Sequence, residues 1–204
     1  MHMANHLYYM FHKPAGCITA RTDLKHRTVL DYFPEELRQL LHPVGRLDRD
    51  TEGLLLLTTD GSFTNHLMSP DNHVEKKYEF TALGNLCDDA IEELQNGIYF
   101  AGDDKVTQPC KITVTGSSIL KETLQVLPVE PTEKTRKNRP DHPVTYGTMI
   151  ITEGRKHHVK RLLKHAHCHV IYLKRKSIGN LLLDDSLKPG EYRSLTKEEV
   201  ALFL

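Results

Sequence analysis

The clearest apolar signal along the chain is the run Leu54 to Thr59, which follows a charged loop and reads as a buried strand. Lys77 to Leu83 alternates instead. It puts Tyr78, Phe80 and Ala82 on one side, the period of a half-buried strand that turns Tyr78 inward. Val159, Leu162, Leu163 and Ala166 recur at helical spacing, so a helix buries one face there and leaves Lys160, Arg161 and Lys164 in other directions.

Weaker patterns fill the intervals. Leu7 to Phe11 reads as a strand ending at the Lys13-Pro14 turn, and Pro34 starts a short helix through about Leu41. Asp60 or Ser62 caps a helix to Met68 that Ser69-Pro70 stops, and Asn85 caps one that runs to Asn96 and ends at Gly97. Asp88, Asp89, Glu92 and Glu93 make that second helix acidic. Further strands are predicted near Ile112 to Val114, Thr123 to Leu127, Tyr146 to Thr152 and Val170 to Leu173. Residues 128–143 hold four prolines among many charges and read as a mobile basic loop. Thr196 with Glu199 forms a capping box for a final helix, Val200 to Leu204. Helices interspersed among hairpin-joined strands, without βαβ alternation, predict an α+β fold.

At 204 residues and 39% hydrophobic content, one compact domain spanning 1–204 is expected, with no repeat or internal linker. No run approaches the length of a membrane span and no signal segment opens the chain, so the expected compartment is the cytoplasm. Met1-His2-Met3 is treated as a cloning remnant. Cys17, Cys87, Cys110 and Cys168 are scattered, as reduced cytosolic thiols are. His157, His158, His165, His167, Cys168 and His169 cluster, yet no carboxylate or thiolate pair completes a ligand set, so no metal site is expected. Net charge is zero, with 27 basic and 27 acidic residues, but its distribution is uneven. Residues 154–183 contain eight Lys or Arg, five His and no Asp or Glu, and Lys134, Arg136, Lys137 and Arg139 precede them. Such polarity favours contact with phosphates.

Chemistry concentrates in Gly45 to Gly61, GRLDRDTEGLLLLTTDG, where Asp48 stands between Arg46 and Arg49 beside the buried strand. Three chemistries fit such a loop to different degrees. Calcium is excluded, because the EF-hand pattern needs a bidentate Glu where Thr59 stands. A glycosidase would use Asp48 with Asp50 or Glu52 as a carboxylate pair at a fixed separation. A single aspartate could instead act on an anionic substrate held by the arginines. A solvated turn whose charges satisfy one another, and a noncatalytic RNA-binding module, remain as alternatives.

The same segment closely resembles the catalytic segment of the RsuA-type ribosomal RNA pseudouridine synthases, G-R-L-D-x-D-[ST]-x-G-L followed by an apolar run. Lys13-Pro14-Ala15-Gly16 resembles that family's K-P-x-G turn, and Glu75-Lys76-Lys77-Tyr78 its E-K-x-Y strand. Glu153-Gly154-Arg155, His158-Val159-Lys160-Arg161, Leu173 to Gly179 and Gly190 to Leu195 are similar to its closing pattern. The likeness runs from about Tyr9 to Leu204. His12 stands where Asn is usual, His158 where Gln is common, and 166–169 where a glycine turn is common. The S4-like RNA-binding domain with which many relatives begin is absent from this sequence.

The resemblance implies a mixed, largely antiparallel sheet in two lobes around a central catalytic cleft. It also implies isomerisation of uridine to pseudouridine in ribosomal RNA, without a cofactor and by a monomer. Asp48 is the implied catalytic carboxylate, supported by Lys160, which pairs with it, and by Tyr78, which stacks on the uracil. Arg46 enters the space that the flipped nucleotide leaves. Lys13, Arg49, Lys76, Arg155, His158 and Arg161 are candidates for RNA contact. The missing S4-like region and the loop before Tyr146 are similar to the large-subunit branch, whereas Pro189 to Thr196 is similar to the small-subunit enzyme.

Overall fold

The computed structural model describes residues 6–203, so Met1-His2-Met3 and Leu204 lie outside the described residues. The chain divides into two compact units, one formed by residues 1–74 and 175–204, the other by 75–174. Both are α+β, as the sequence predicts.

The first unit opens with β1 (Tyr8–Lys13), α1 (Glu35–Arg38), β2 (His42–Val44), β3 (Glu52–Thr58) and α2 (Gly61–Met68). β3 is buried along its whole length, which is why its sequence is a continuous apolar run. Alternation splits its leucines between two faces. Leu54 and Leu56 join Met10, Phe63, Leu67, Ile178 and Phe203 in one core. Leu55 and Leu57 pair in register with Phe11 and Tyr9, on the opposite face. Phe33 packs edge-on against both of those β1 rings and stacks on Tyr192 at 4.1 Å. Asp60 caps α2 by accepting from the N–H groups of Ser62 and Phe63, and Ser69 ends it.

The second unit contains β4 (Lys76–Leu83), α3 (Asp88–Asn96), β5 (Lys111–Ile119), α4 (Leu120–Val126), α5 (Glu133–Arg136), β6 (Pro143–Ile151) and α6 (His158–His165). β7 (His169–Ile178) begins there and ends in the first unit. The strand order is β5-β6-β4-β7, with β4 and β5 both antiparallel to β6. Back in the first unit, β8 (Leu181–Leu182), β9 (Tyr192–Ser194) and α7 (Lys197–Ala201) complete the chain. There the order is β7-β3-β1-β9, with β2 on β3 and β8 on β7.

Several elements differ from the expectation. Thr123–Leu127 is not a strand: Thr123 to Val126 form the second half of helix α4 and Leu127 caps it, Leu120, Thr123 and Leu124 repeat at helical spacing, and Thr123 Oγ1 lies 2.7 Å from the Tyr146 hydroxyl. Cys87, not Asn85, is the residue before α3. Helix α1 stops at Arg38, with Pro34 as its cap rather than its first turn. Within 128–143, Glu133–Arg136 is helical, with Thr132 Oγ1 accepting from Thr135 N–H. The Thr196–Glu199 capping box forms, but on a helix that starts at Lys197. Among the described residues no helix is long and apolar enough to cross a membrane.

Candidate active site

Asp48 lies on a loop whose neighbours on both sides are tied down. Gly45 enters it at φ +71°, a left-handed conformation that favours glycine. Leu47 is buried, and both its backbone groups bond Thr19 Oγ1, which donates to Leu47 O at 2.8 Å and accepts from Leu47 N at 3.1 Å. On the far side, Gly16 N donates to Arg49 O at 2.7 Å while Arg49 Nε donates to Gly16 O at 3.2 Å. Thr51 N donates to Asp48 O at 3.1 Å and closes the turn. Asp48 is half-buried; Arg46 and Arg49 are exposed. The backbone on both sides of Asp48 is thus held by bonds to residues distant in sequence.

Lys13 is the deepest part of this construction. It is wholly buried, and its Nζ donates to the backbone carbonyls of Pro14 (3.0 Å), Arg49 (3.4 Å) and Thr51 (2.9 Å). Burial pulls its pKa below the ordinary lysine value, and the negative groups of Cys17, Asp50, Glu52 and Asp48 act against that shift. The expectation that Lys13 meets an RNA phosphate is therefore corrected. Its ammonium holds the K-P-x-G turn and the Asp48 loop together from inside.

The loop runs into β3 through Gly53, at φ +107°, where a Cβ would overlap the Arg175 backbone carbonyl. Arg175 Nε donates to Leu54 O at 2.7 Å. The β3–β7 neighbours in the first unit thus set where the loop ends.

The second unit carries the other sequence-predicted residues. Tyr78 is buried on β4, opposite Met149 of β6, and Lys76 is half-buried, its Nζ 3.4 Å from Thr152 O. Lys160 is half-buried in the first turn of α6. Around the start of that helix, three of the expected RNA contacts also meet groups of the protein itself. Arg155 donates to Glu153 Oε2 (3.0 Å), Asp103 Oδ2 (3.0 Å), Lys105 O (2.8 Å) and Val106 O (2.7 Å), which uses four of its five N–H groups. Arg161 bonds Asp103 Oδ1 at 3.2 Å and lies 3.8 Å over the Phe100 ring. His158 is buried edge-on against Phe100, its Nε2 3.5 Å from Glu153 Oε1. Burial pulls its pKa down to about 4, only partly offset by Glu153.

Sequence reasoning missed Asp103, Glu153, Phe100 and Thr19, the partners that fix these motif residues. Only Glu153 carried a signal, as the first residue of E-G-R. The basic loop is also more balanced than its cation count suggests, because Arg136, Lys137 and Arg139 pair with Glu130, Glu133 and Asp141. Among the described residues no three His, Cys, Asp or Glu side chains gather as a metal site.

A family profile described as RNA pseudouridylate synthase matches residues 7–165. The chain is 40% identical over 197 residues to an uncharacterized RNA pseudouridine synthase, YtzG, of Bacillus subtilis, spanning 96% of this chain and 72% of that one. It is 35% identical over 194 residues to ribosomal small subunit pseudouridine synthase A of Escherichia coli K12, spanning 95% and 72%. A crystal structure of pseudouridylate synthase is similar with a TM-score of 0.80 at 31% identity, covering 100% of this chain and 76% of its own.

Proposed function

The chain belongs to the RNA pseudouridylate synthase family, in its RsuA-type branch, and from that premise we propose that it isomerises a specific uridine of small-subunit ribosomal RNA, with Asp48 as the one catalytic carboxylate. The reaction breaks the bond from ribose C1′ to uracil N1, turns the base, and joins C1′ to C5. N1 gains a proton and C5 loses one, so no redox partner or energy source is required. Asp48 supplies either the nucleophile at C1′ or the base that takes the 2′ proton.

The observation that carries this reading is the pinning of Leu47 and Arg49 by Thr19, Gly16 and Lys13, which holds the intervening aspartate ready. Tyr78 and Lys160 take the supporting roles that the resemblance implies: an aromatic face for the uracil and a cationic partner for the aspartate. A uridine inside folded RNA must leave its stack to be reached, and exposed Arg46 fills the gap it leaves. Arg49 and Lys76 remain the RNA-contact candidates. The small-subunit substrate rests on the names of the relatives, and we place the activity in the cytoplasm, carried out by a monomer.

Incubating the protein with an unmodified small-subunit ribosomal RNA transcript and mapping pseudouridine by its carbodiimide adducts tests the reading. One new pseudouridine is expected. No new pseudouridine at any position would refute it, and release of free uracil would favour the glycosidase alternative.

A further inference from the structure

Leu24 is fully exposed, at 105% of its reference area, more than any other large apolar side chain of the described residues. A leucine left in water forgoes the stabilisation of burial, and this one is not on a slack tether. Its loop is closed at the neck by Ile18 N to Arg27 O and Val29 N to Ile18 O, both at 3.0 Å. At the tip, Asp23 Oδ1 accepts from the N–H groups of Lys25 (2.8 Å) and His26 (2.7 Å). Arg21 Nη2 donates to Gln39 O at 2.9 Å on one flank, and Arg27 lies 3.8 Å over the Tyr32 ring on the other. The result is a braced projection with an apolar point and a cationic rim of Arg21, Lys25 and Arg27.

Its root is shared with the proposed site. Thr19, the residue that bonds both backbone groups of Leu47, stands at the start of the same loop. Leu24 is five positions further along the chain, so its Cα lies within roughly 17 Å of that anchor. A partner for this shape must be polyanionic and must offer apolar faces between its charges. Stacked nucleobases flanked by phosphates meet both requirements, and aliphatic side chains do wedge between base steps.

We propose that Leu24 is an apolar wedge that presses into the base stack of the substrate RNA beside the target uridine, with Lys25 and the flanking arginines set against the neighbouring phosphates. Arg46 then fills the vacated position while Leu24 keeps the adjacent step open. The inference rests on the pseudouridine synthase reading for the identity of the partner.

Two measurements test it. In the first, small-subunit ribosomal RNA transcript labelled with tritium at uracil C5 is offered folded in magnesium or unfolded without it, since only the folded form must be unstacked. Leu24→Ala should lower the folded-to-unfolded rate ratio by roughly tenfold relative to wild type, and Leu24→Met should restore it. A ratio equal to wild type in Leu24→Ala overturns the wedge. The second needs no activity. The chain has no tryptophan, so Leu24→Trp reports on its own surroundings. Saturating folded transcript should quench that fluorescence by roughly half or more through base stacking; an unchanged spectrum with RNA bound, seen by gel shift, also overturns the proposal. Failure of the functional reading shows differently, as no tritium release by the wild type, and leaves the tryptophan to decide the wedge.

Discussion

Arg155 and His158 sit in motifs that suggest contact with RNA, yet their atoms face the protein. Because Arg155 joins Glu153 and Asp103 to the carbonyls of Lys105 and Val106, Arg155→Gln should lower the melting temperature. It should leave the slope of log affinity against log salt for ribosomal RNA unchanged, because no phosphate contact is lost. A slope shallower by about one with unaltered stability would restore Arg155 to the RNA surface. His158 predicts a pH effect. Its folded pKa of about 4 lies below the ordinary 6.5, so between those values the unfolded chain binds a proton that the folded one refuses. Its contribution is therefore intact above about pH 6.5 and declines by up to about 1.4 kcal/mol per pH unit as pH falls toward about 4. Glu153, Asp103, Arg155 and Arg161 all face this group and set its proton balance. Melting curves from about pH 7 to about pH 5 should show a smaller loss for His158→Gln than for wild type; parallel losses would contradict the assignment.

Among the elements, β3 shows how a backbone requirement fixes where the Asp48 loop ends. Gly53 adopts a positive φ directly against the Arg175 backbone, which cannot move aside as a side chain can. Gly53→Ala should cost more than about 3 kcal/mol in urea unfolding, whereas Gly61→Ala, in open space at the first position of α2, should leave stability level or slightly raised. Equal effects of the two would sink this account of the β3 entry. The strand β3 and the stripe of α6 were legible in the sequence, because one burial pattern persists over a whole element in each; β4 was legible from Tyr78 to Phe80, although Thr81 to Leu83 are all buried. Helix α4 was not. Thr123-Leu124-Gln125-Val126-Leu127 alternates locally like a strand, and its helical partner Leu120 lies outside that window. Lys13 misled for a similar reason: two of the three carbonyls that its Nζ meets, those of Arg49 and Thr51, are distant in sequence, which no periodicity reveals.

For the whole molecule, the first unit is assembled from both ends of the chain, with β9 of the C-terminal segment pairing with β1. That arrangement was hidden in the sequence, since no linker composition marks 74 or 174 and an antiparallel pairing of distant segments leaves no local trace. The family, by contrast, was legible in the Asp48 motif, because its order of residue types is itself the signal. Zero net charge reads differently once the pairs are visible. Arg155, Arg161, Arg193, Arg136 and Lys137 are joined to acids of their own units, so overall charge says little about where RNA is met. The central claim is that one carboxylate does the chemistry, and Asp48→Asn tests it with almost no change of volume. Tritium release from C5-labelled small-subunit ribosomal RNA should fall by more than roughly a thousandfold, with RNA binding and melting temperature retained. Release within about tenfold of wild type by a folded, RNA-bound Asp48→Asn protein would contradict it.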